Sequence, residues 1–274
     1  MEDIEKNKDK YTKFFAAKYY KKKEEHLTQS ERYRCSSLGE IWAYYHSVIP
    51  EGHTKYTIFD FDGRISNSVD KSSKSVLTDS IIISAKNKIC NYCWGMSWEE
   101  VKEQNLKNNN VKMFLRKNSV MMDRMKYGNN IIIFGASSSP LGRTMLASIV
   151  MKEAIKLRIT HSDKGQNYDW IDFNQLFQSL RTNSDDLVDY KSCDWLVVDN
   201  ISRKMRTEKQ TTLLVDVVDS FFIERFKNKL PTILVFKSDI RDKSFSMEQD
   251  FGVGLYRILT SGRTVTIPLT EKDD

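Results

Sequence analysis

The stretch Asn130-Ile-Ile-Ile-Phe-Gly-Ala-Ser-Ser-Ser-Pro-Leu-Gly-Arg-Thr144 decides the fold that we predict for this chain. A β-branched run enters a loop rich in glycine and serine, and residues 145–156 then follow with the apolar spacing of a helix. Glycine and serine let backbone N–H groups turn towards an anion, and the N-terminus of a helix adds partial positive charge. The stretch therefore predicts a strand, a phosphate-binding loop and a helix, in that order.

The loop departs from the common phosphate-loop pattern, in which a glycine, four residues and a second glycine precede lysine and then serine or threonine. Here six residues separate Gly135 from Gly142, and Arg143 takes the place of the lysine. Arginine keeps a positive charge that can reach phosphate oxygens, but its planar fork does not reproduce a compact ammonium. Thr144 still offers a hydroxyl to Mg²⁺. The cofactor-binding residues that we predict here are Gly135, Ser139, Gly142, Arg143, Thr144 and Met145. A loop that joins strand and helix without any ligand is the alternative.

A second stretch, Lys191-Ser-Cys-Asp-Trp-Leu-Val-Val-Asp199, has the pattern of a buried parallel strand. Asp199 would emerge at the carboxyl end of this strand, where parallel sheets bind ligands, and could hold Mg²⁺ there. The next position usually carries an acid that polarises the attacking water, but here it is Asn200. Because an amide cannot take a proton, we predict slow or absent hydrolysis. An ordinary core strand is the alternative.

Length and composition limit the class of protein. The chain has 274 residues, of which 40% are apolar and 29% charged, enough for one sizeable core and a smaller module. The net charge of +6 favours an anionic partner such as nucleic acid. No apolar run approaches the ~18 residues of a membrane span, and the N-terminus lacks a signal-peptide core. Four cysteines fit a reducing compartment. We therefore expect a cytoplasmic protein without membrane contact.

The first 30 residues are interpreted as a basic, aromatic N-terminal arm. Within residues 10–23, six lysines and five aromatic residues stand without an acid. Tyr11, Phe15 and Tyr19 recur every four residues, which places them on one face of a helix. Such a helix could dock on a partner protein, stack bases while its lysines pair with phosphates, or cover the domain's own apolar surface. Of the two binding roles, we favour partner docking.

Residues 31–97 are interpreted as a small α+β module, with residues 55–61 extended. Phe59-Asp-Phe-Asp-Gly63 resembles the aspartate pair of haloacid dehalogenase-type phosphotransferases, but Arg64 stands where threonine or valine is expected. We prefer a strand that ends in a turn. Cys90 and Cys93 have half the spacing of a zinc knuckle, and because a second pair is missing we prefer packing in the core to zinc binding.

Residues 98–274 are interpreted as a nucleotide-binding domain. After the two stretches above, Pro231-Thr-Ile-Leu-Val-Phe-Lys-Ser-Asp239 predicts another buried strand, and residues 250–259 and 261–267 close the domain. This order of elements resembles the helicase-loader branch of the AAA+ ATPases, the DnaC and IstB type, and in particular divergent viral or plasmid-borne members. The resemblance implies an α/β fold, with a P-loop AAA+ core whose parallel sheet is flanked by helices.

The resemblance also implies roles for individual residues. Thr144 and Asp199 would hold Mg²⁺, and Arg143 would contact phosphate. Asp239, or Ser238 beside it, would occupy the sensor position that is usually asparagine, and Arg257 would be the finger offered to the nucleotide of a neighbouring subunit. The implied catalytic set is Asp199, Asn200, Asp239 and Arg257.

The function implied by the resemblance is that of a helicase loader. Such a protein would bind ATP and Mg²⁺, hydrolyse ATP weakly or not at all, and form a nucleotide-dependent homo-oligomer. Its partners would be a replicative DNA helicase, engaged through the N-terminal region, and single-stranded DNA. Two alternatives stay open: a scaffold that kept the fold but lost the nucleotide and binds DNA or a protein, and a transposition regulator of the IstB type.

Overall fold

The computed structural model describes residues 2–62, 77–107, 119–135, 142–160, 167–182, 184–202, 211–241 and 251–270. Its centre is a five-stranded sheet in the order β2-β3-β4-β1-β5, and every neighbouring pair is parallel. The strands are β1 (Asn130–Phe134), β2 (Tyr168–Asp172), β3 (Trp195–Ile201), β4 (Thr232–Phe236) and β5 (Thr264–Pro268). Strands β1 and β4 are buried along their whole length, as expected of central strands covered on both faces.

Helices flank the sheet on both sides. They are α1 (Glu2–Phe15), α2 (Gln29–Val48), α3 (Asp79–Trp94), α4 (Trp98–Lys107), α5 (Ser119–Tyr127), α6 (Arg143–Thr160), α7 (Phe173–Thr182), α8 (Asp186–Ser192), α9 (Thr211–Lys227) and α10 (Val253–Thr260). A π-helical turn, Ala16–Tyr20, extends α1, and short 3₁₀ turns form at Glu24–His26 and Ile58–Asp60. The predicted α/β fold with a parallel sheet flanked by helices is confirmed. Within the described ranges, no helix is long and apolar enough to cross a lipid bilayer.

Two apolar clusters form because successive residues of a strand point to opposite faces of the sheet. Ile131 and Ile133 belong to the cluster shared with α2, α3 and α6. Ile132 and Phe134 belong to the cluster shared with α7, α9 and α10. The connection from β1 to β2 therefore runs over one face, and the later connections run over the other. All five strands end along one edge of the sheet, which we call the carboxyl edge.

The N-terminal helices share the core of the sheet. Helix α2 packs against α6 and β2, and α3 packs against α6 and β5, so the two cover opposite flanks of one face. The hydroxyl of Tyr45 in α2 donates to the backbone oxygen of Lys152 in α6 at 3.2 Å. The ammonium of Lys88 in α3 donates to the backbone oxygen of Thr266 in β5 at 2.8 Å. These helices complete the cover of a face that α6 alone would leave open at both flanks.

Residues 55–61 differ from the prediction of an extended segment. The carboxylate of Asp60 accepts hydrogen bonds at 2.7 Å from both the backbone N–H and the hydroxyl of Thr57, which closes the 3₁₀ turn Ile58–Asp60. Elsewhere in the described part of residues 31–97 the regular elements are helices, rather than the α+β mixture that we predicted. Gly63 and Arg64 of the phosphotransferase-like motif lie outside the described residues.

Cys90 and Cys93 lie in the apolar core, as the preferred interpretation of these two residues predicts. Both side chains are fully buried in α3. Burial raises the pKa of the Cys90 thiol to about 12 and that of Cys93 well above its usual value. The described part of the chain holds no group of three or more histidine, cysteine, aspartate or glutamate side chains that could bind a metal ion. The two thiols therefore pack as small apolar groups in this structure.

Candidate functional site

Several of the predicted site residues meet at the carboxyl edge, where β1 ends and α6 begins. Gly142 directly precedes α6 with a φ of +74°, in the left-handed region that favours glycine. A Cβ added at Gly142 would lie 2.9 Å from the ring of Phe61. The side chain of Met145 is buried in the core cluster. Only its backbone N–H, in the first turn of α6, could therefore donate to a ligand. The predicted loop residue Ser139 lies outside the described residues.

Thr144 and Asp199 come together although they are far apart in sequence. The hydroxyl of Thr144 donates to a carboxylate oxygen of Asp199 at 3.0 Å. Asp199 is 4% exposed, and burial raises the pKa of its carboxyl, against the opposing effect of hydrogen bonds from Asn200 and Thr144. A hydroxyl and a carboxylate are hard oxygen ligands, and Mg²⁺ usually takes one or two carboxylates together with phosphate oxygens. The pair is chemically suited to Mg²⁺ in the presence of a phosphate ligand.

Arg143 is buried between the ends of two strands. Its Nη1 donates to the backbone oxygen of Gly135, just after β1, at 3.0 Å and to that of Lys237, just after β4, at 3.1 Å. The side chain is 8% exposed, and burial lowers the pKa of the guanidinium while Asp199 acts in the opposite direction. In this position Arg143 ties β1 to β4, a role that the sequence did not predict. A phosphate that drew Nη1 away would break both contacts.

Asn200 occupies an irregular position at the end of β3. Its φ is +62°, a left-handed conformation that asparagine adopts more readily than most residues, and the pairing of β3 with β4 is irregular here. The side-chain amide of Asn200 donates to Asp172 at 2.7 Å, and its backbone N–H donates to Asp199 at 2.7 Å. Asn200 thus holds two carboxylates in place and provides no proton acceptor for an attacking water.

Asp172 is a site residue that sequence reasoning missed. It ends β2 and stands in register with Asp199 of β3. Its negative charge contributes to the raised pKa of Asp199. The available signal was the stretch Tyr168-Asp-Trp-Ile-Asp-Phe173, in which an aspartate follows apolar residues as Asp199 does.

Asp239 follows β4 and is paired with a second missed residue, Arg241. The guanidinium of Arg241 donates through Nε at 3.0 Å and through Nη2 at 2.7 Å to the two carboxylate oxygens of Asp239. The hydroxyl of Thr270 also donates to Asp239. Burial raises the pKa of Asp239, but these hydrogen bonds outweigh it and the net pKa is lowered. Because this forked pairing neutralises the carboxylate, Asp239 would repel a nearby anion less than a lone aspartate would.

Arg257 lies on the surface of the molecule. It is exposed on α10, which packs against α9 and β5. An exposed guanidinium on a surface helix is accessible to a neighbouring molecule. The structure of one chain therefore leaves the predicted finger role of Arg257 as a prediction.

A cavity of about 510 Å³ adjoins Thr144, Asp199 and Asn200. Asp172, Trp170 and Gln175 line it from β2 and α7. The end of α2 and the segment after it form another wall, made of Ser47, Val48, Ile49, Pro50 and His53. A volume of this size is typical of small-molecule sites. The cavity is thus lined by polar residues at the carboxyl edge on one side and by the N-terminal region on another.

The segment that forms this wall is tied to α6. The hydroxyl of Ser148 donates to the backbone oxygen of His53 at 3.3 Å. The buried ammonium of Lys152 donates to the backbone oxygens of Thr54, at 3.4 Å, and Tyr56. Burial lowers the pKa of Lys152 to about 8. Helix α6 therefore carries Thr144 at its first turn and holds the cavity wall from its middle turns.

Comparison with known proteins gives neighbours of known structure. No protein-family model matches the sequence, and no curated protein matches it. Its structural neighbours include the DnaC helicase loader, the replication initiator DnaA and DnaI. The chain matches the crystal structure of DnaI with 15% identity over 84% of this chain and 98% of that one, at a TM-score of 0.46.

Two further neighbours align with a smaller share of the chain. The DnaC helicase loader matches with 15% identity over 53% of this chain and 81% of its own, at a TM-score of 0.40. The replication initiator DnaA, bound to AMPPCP and single-stranded DNA, matches with 14% identity over 57% of this chain and 46% of its own, at a TM-score of 0.38. At such low identities these likenesses concern the fold alone.

Proposed function

We propose that this chain is a helicase loader of the AAA+ type, which binds ATP with Mg²⁺ and recruits or loads a replicative DNA helicase onto single-stranded DNA. The observation that carries the proposal is the 3.0 Å contact between Thr144 and Asp199. In this contact a hydroxyl from the first turn of α6 meets a carboxylate from β3. Close by, the chain leaves the neighbouring strands β1 and β4 over opposite faces of the sheet. Open parallel sheets bind their ligands at such places.

The proposed nucleotide site is supported by contacts of Arg143 and Thr144, at the start of α6, with the ends of neighbouring strands. Thr144 and Asp199 would hold Mg²⁺, while Arg143 and the first N–H groups of α6 would contact phosphate oxygens. Mg²⁺ held there would supply positive charge to the phosphate groups. It would also favour the ionised form of Asp199, whose pKa is raised by burial.

We propose that bound ATP acts as an assembly switch and is hydrolysed slowly or not at all. Asn200 stands beside Asp199 with its amide bonded to Asp172, so this position offers no general base. Switching needs only a difference in nucleotide affinity between two states of assembly. Arg257, exposed on α10, is the residue proposed to contact the nucleotide of a neighbouring subunit in the homo-oligomer.

A scaffold without nucleotide is the second candidate, and the position of Arg143 favours it. Its guanidinium already donates to two backbone oxygens at the ends of β1 and β4. With these contacts in place, the arginine stabilises the sheet rather than a phosphate. The chain would then bind DNA or a protein partner through its surface alone.

Thermal unfolding with and without Mg-ATP or a non-hydrolysable analogue separates the two candidates. A ligand at 100 times its dissociation constant stabilises the folded state by about 2.7 kcal/mol, so nucleotide binding must raise the melting midpoint. Thr144→Val removes the hydroxyl and keeps the branched shape, and it should reduce the Mg²⁺-dependent part of the rise. Thr182→Val, at an exposed position at the end of α7, is the matched control. If the melting midpoint does not change at millimolar nucleotide, the nucleotide site is contradicted and the scaffold function remains as the candidate.

Helicase recruitment is tested by gel filtration of the full chain with a purified replicative helicase. A complex that depends on Mg-ATP supports the loader role. Absence of a complex in both conditions, with a nucleotide-induced rise in the melting midpoint intact, would refute the choice of partner and retain the switch.

A further inference from the structure

The aromatic residues of α1 fall into two sets with different environments. Tyr11 and Phe15 face α2: the Tyr11 ring stacks on His46 at a centroid distance of 5.3 Å, and Phe15 contacts Trp42 at 5.9 Å. Phe15 is 2% exposed and belongs to a small apolar cluster between the two helices. Of the stripe predicted for partner docking, Phe15 is thus buried and Tyr11 is partly buried inside the α1–α2 hairpin.

Phe14 and Tyr19 remain exposed, with 53% and 40% of their surface accessible, and one face of the Tyr19 ring stacks on Phe15 at a centroid distance of 5.7 Å. Residues five apart do not share a face of an α-helix, but the π-helical turn Ala16–Tyr20 has an i→i+5 repeat that brings them towards one side. The ammonium of Lys18 lies 5.5 Å from the centroids of both rings. Two exposed rings therefore flank one cation. We call Phe14, Lys18 and Tyr19 the Phe14–Tyr19 surface.

Lysines flank the residues of the Phe14–Tyr19 surface along the sequence. Residues 10–23 contain six lysines and no acid. Among the residues that the structure describes, ion pairs within 4.0 Å form at Lys22 and Lys23 but not at Lys13, Lys18 or Lys21. The lysines nearest the two rings are therefore able to pair with an anionic partner.

The side chains that remain exposed are suited to nucleic acid more than to a protein groove. A helix that docks in a groove needs an apolar stripe at i, i+3 or i+4, and i+7. The exposed residues of 10–23 are lysines, two aromatic residues and Ala17. Single strands offer base faces that stack on rings and phosphates that pair with lysines, whereas a duplex hides its base faces.

We propose that the Phe14–Tyr19 surface binds single-stranded nucleic acid, with bases stacked on the two rings and phosphates paired with Lys18 and its neighbours. The proposal deepens the proposed function, because it assigns the contact with single-stranded DNA to one side of α1 and of the π-helical turn that extends it. It does not depend on ATP, so it is tested without nucleotide.

The test is a fluorescence-anisotropy titration of a labelled oligothymidylate of about 20 nucleotides with the full chain. Combining Phe14→Leu and Tyr19→Leu keeps apolar bulk against Phe15 but removes both rings, and should weaken binding by about tenfold per ring. Lys18→Gln should lower the slope of log affinity against log salt by about 0.7, the share of one phosphate contact in a single strand. Tyr256→Leu, which removes a 44% exposed tyrosine from α10, is the matched control and should bind as the native chain does.

Each outcome decides for or against the surface. The melting midpoint of the double variant must match that of the native chain, which shows that the hairpin is intact. Native affinity in the double variant would overturn the proposal. Equal affinity for a duplex of the same length, or equally effective competition by polyglutamate, would also overturn it and indicate an acidic protein partner. A parallel titration with oligouridylate distinguishes DNA from RNA, and preferential binding of either supports the surface. The nucleotide-induced melting shift, measured on the same variants, reports separately on the ATP switch.

Discussion

Replacing Arg143 with alanine tests the least expected contact of the site. The guanidinium bridges backbone oxygens of Gly135 and Lys237 at 3.0 and 3.1 Å. Hydrogen bonds from a charged donor each contribute about 1.5–3 kcal/mol, and the desolvation of a buried guanidinium offsets part of this. We therefore expect Arg143→Ala to lower the free energy of unfolding by about 3 kcal/mol.

The measurement is thermal unfolding followed by circular dichroism, without nucleotide. For a chain of this size 1 kcal/mol corresponds to about 2 °C, so the melting midpoint should fall by about 6 °C. Arg257→Ala removes an exposed arginine from α10 and should change the midpoint by about 1 °C or less. If Arg143→Ala has the same melting midpoint as this control, Arg143 does not tie β1 to β4.

The same variant then addresses phosphate binding. If Arg143 contacts phosphate, Arg143→Ala must also lose the rise in midpoint that Mg-ATP produces in the native chain. A lower starting midpoint with a rise equal to that of the native chain would exclude Arg143 from the phosphate site and leave it a structural role.

Three further predictions concern single residues. Asp199→Asn replaces a buried carboxylate whose pKa is raised, so the melting midpoint without nucleotide should stay near that of the native chain. The rise in midpoint caused by nucleotide should no longer depend on Mg²⁺. If EDTA still reduces that rise in the variant, the result contradicts the prediction. Burial lowers the pKa of Lys152 to about 8, so the unfolded chain binds this proton more tightly and stability should increase as the pH rises from about 8 towards 10.5, by roughly 3 kcal/mol. Between about pH 7.5 and pH 10, the free energy of unfolding in urea should increase by about that amount more in the native chain than in Lys152→Met. A difference between the two chains that does not change with pH would refute the assignment. Arg257→Ala should spare nucleotide binding and weaken nucleotide-dependent self-association in sedimentation, and loss of binding in the dilute monomer would contradict a finger role.

The central strands could be predicted because their signals are local. The run before Gly135 and the run before Asn200 are apolar and rich in β-branched residues, and both are buried strands in the structure. Residues 55–61 were predicted wrongly because the Asp60 side chain closes a turn on Thr57, an interaction that competes with extended backbone and leaves no periodic pattern.

The candidate site was predictable only as far as strand ends can be recognised. Thr144 and Asp199 could be paired, since one begins the helix after a predicted strand and the other ends a second strand. The contact of Asn200 with Asp172 depends on the register of β2 against β3, and that of Asp239 with Arg241 depends on the turn after β4. Neither register nor turn geometry is encoded in the spacing of apolar residues.

The covering of one sheet face by α2 and α3 limits where this chain can be cut for experiments. A fragment beginning at residue 98 would lose buried side chains such as Ile41, Tyr45 and Ile89, and with them the cover over the flanks of α6. Each large apolar side chain contributes about 1.5–3 kcal/mol, against about 5–15 kcal/mol for the net stability of a typical domain. Such a fragment would expose bare apolar surface and aggregate, so a minimal soluble piece that retains the carboxyl edge has to begin upstream of Gln29.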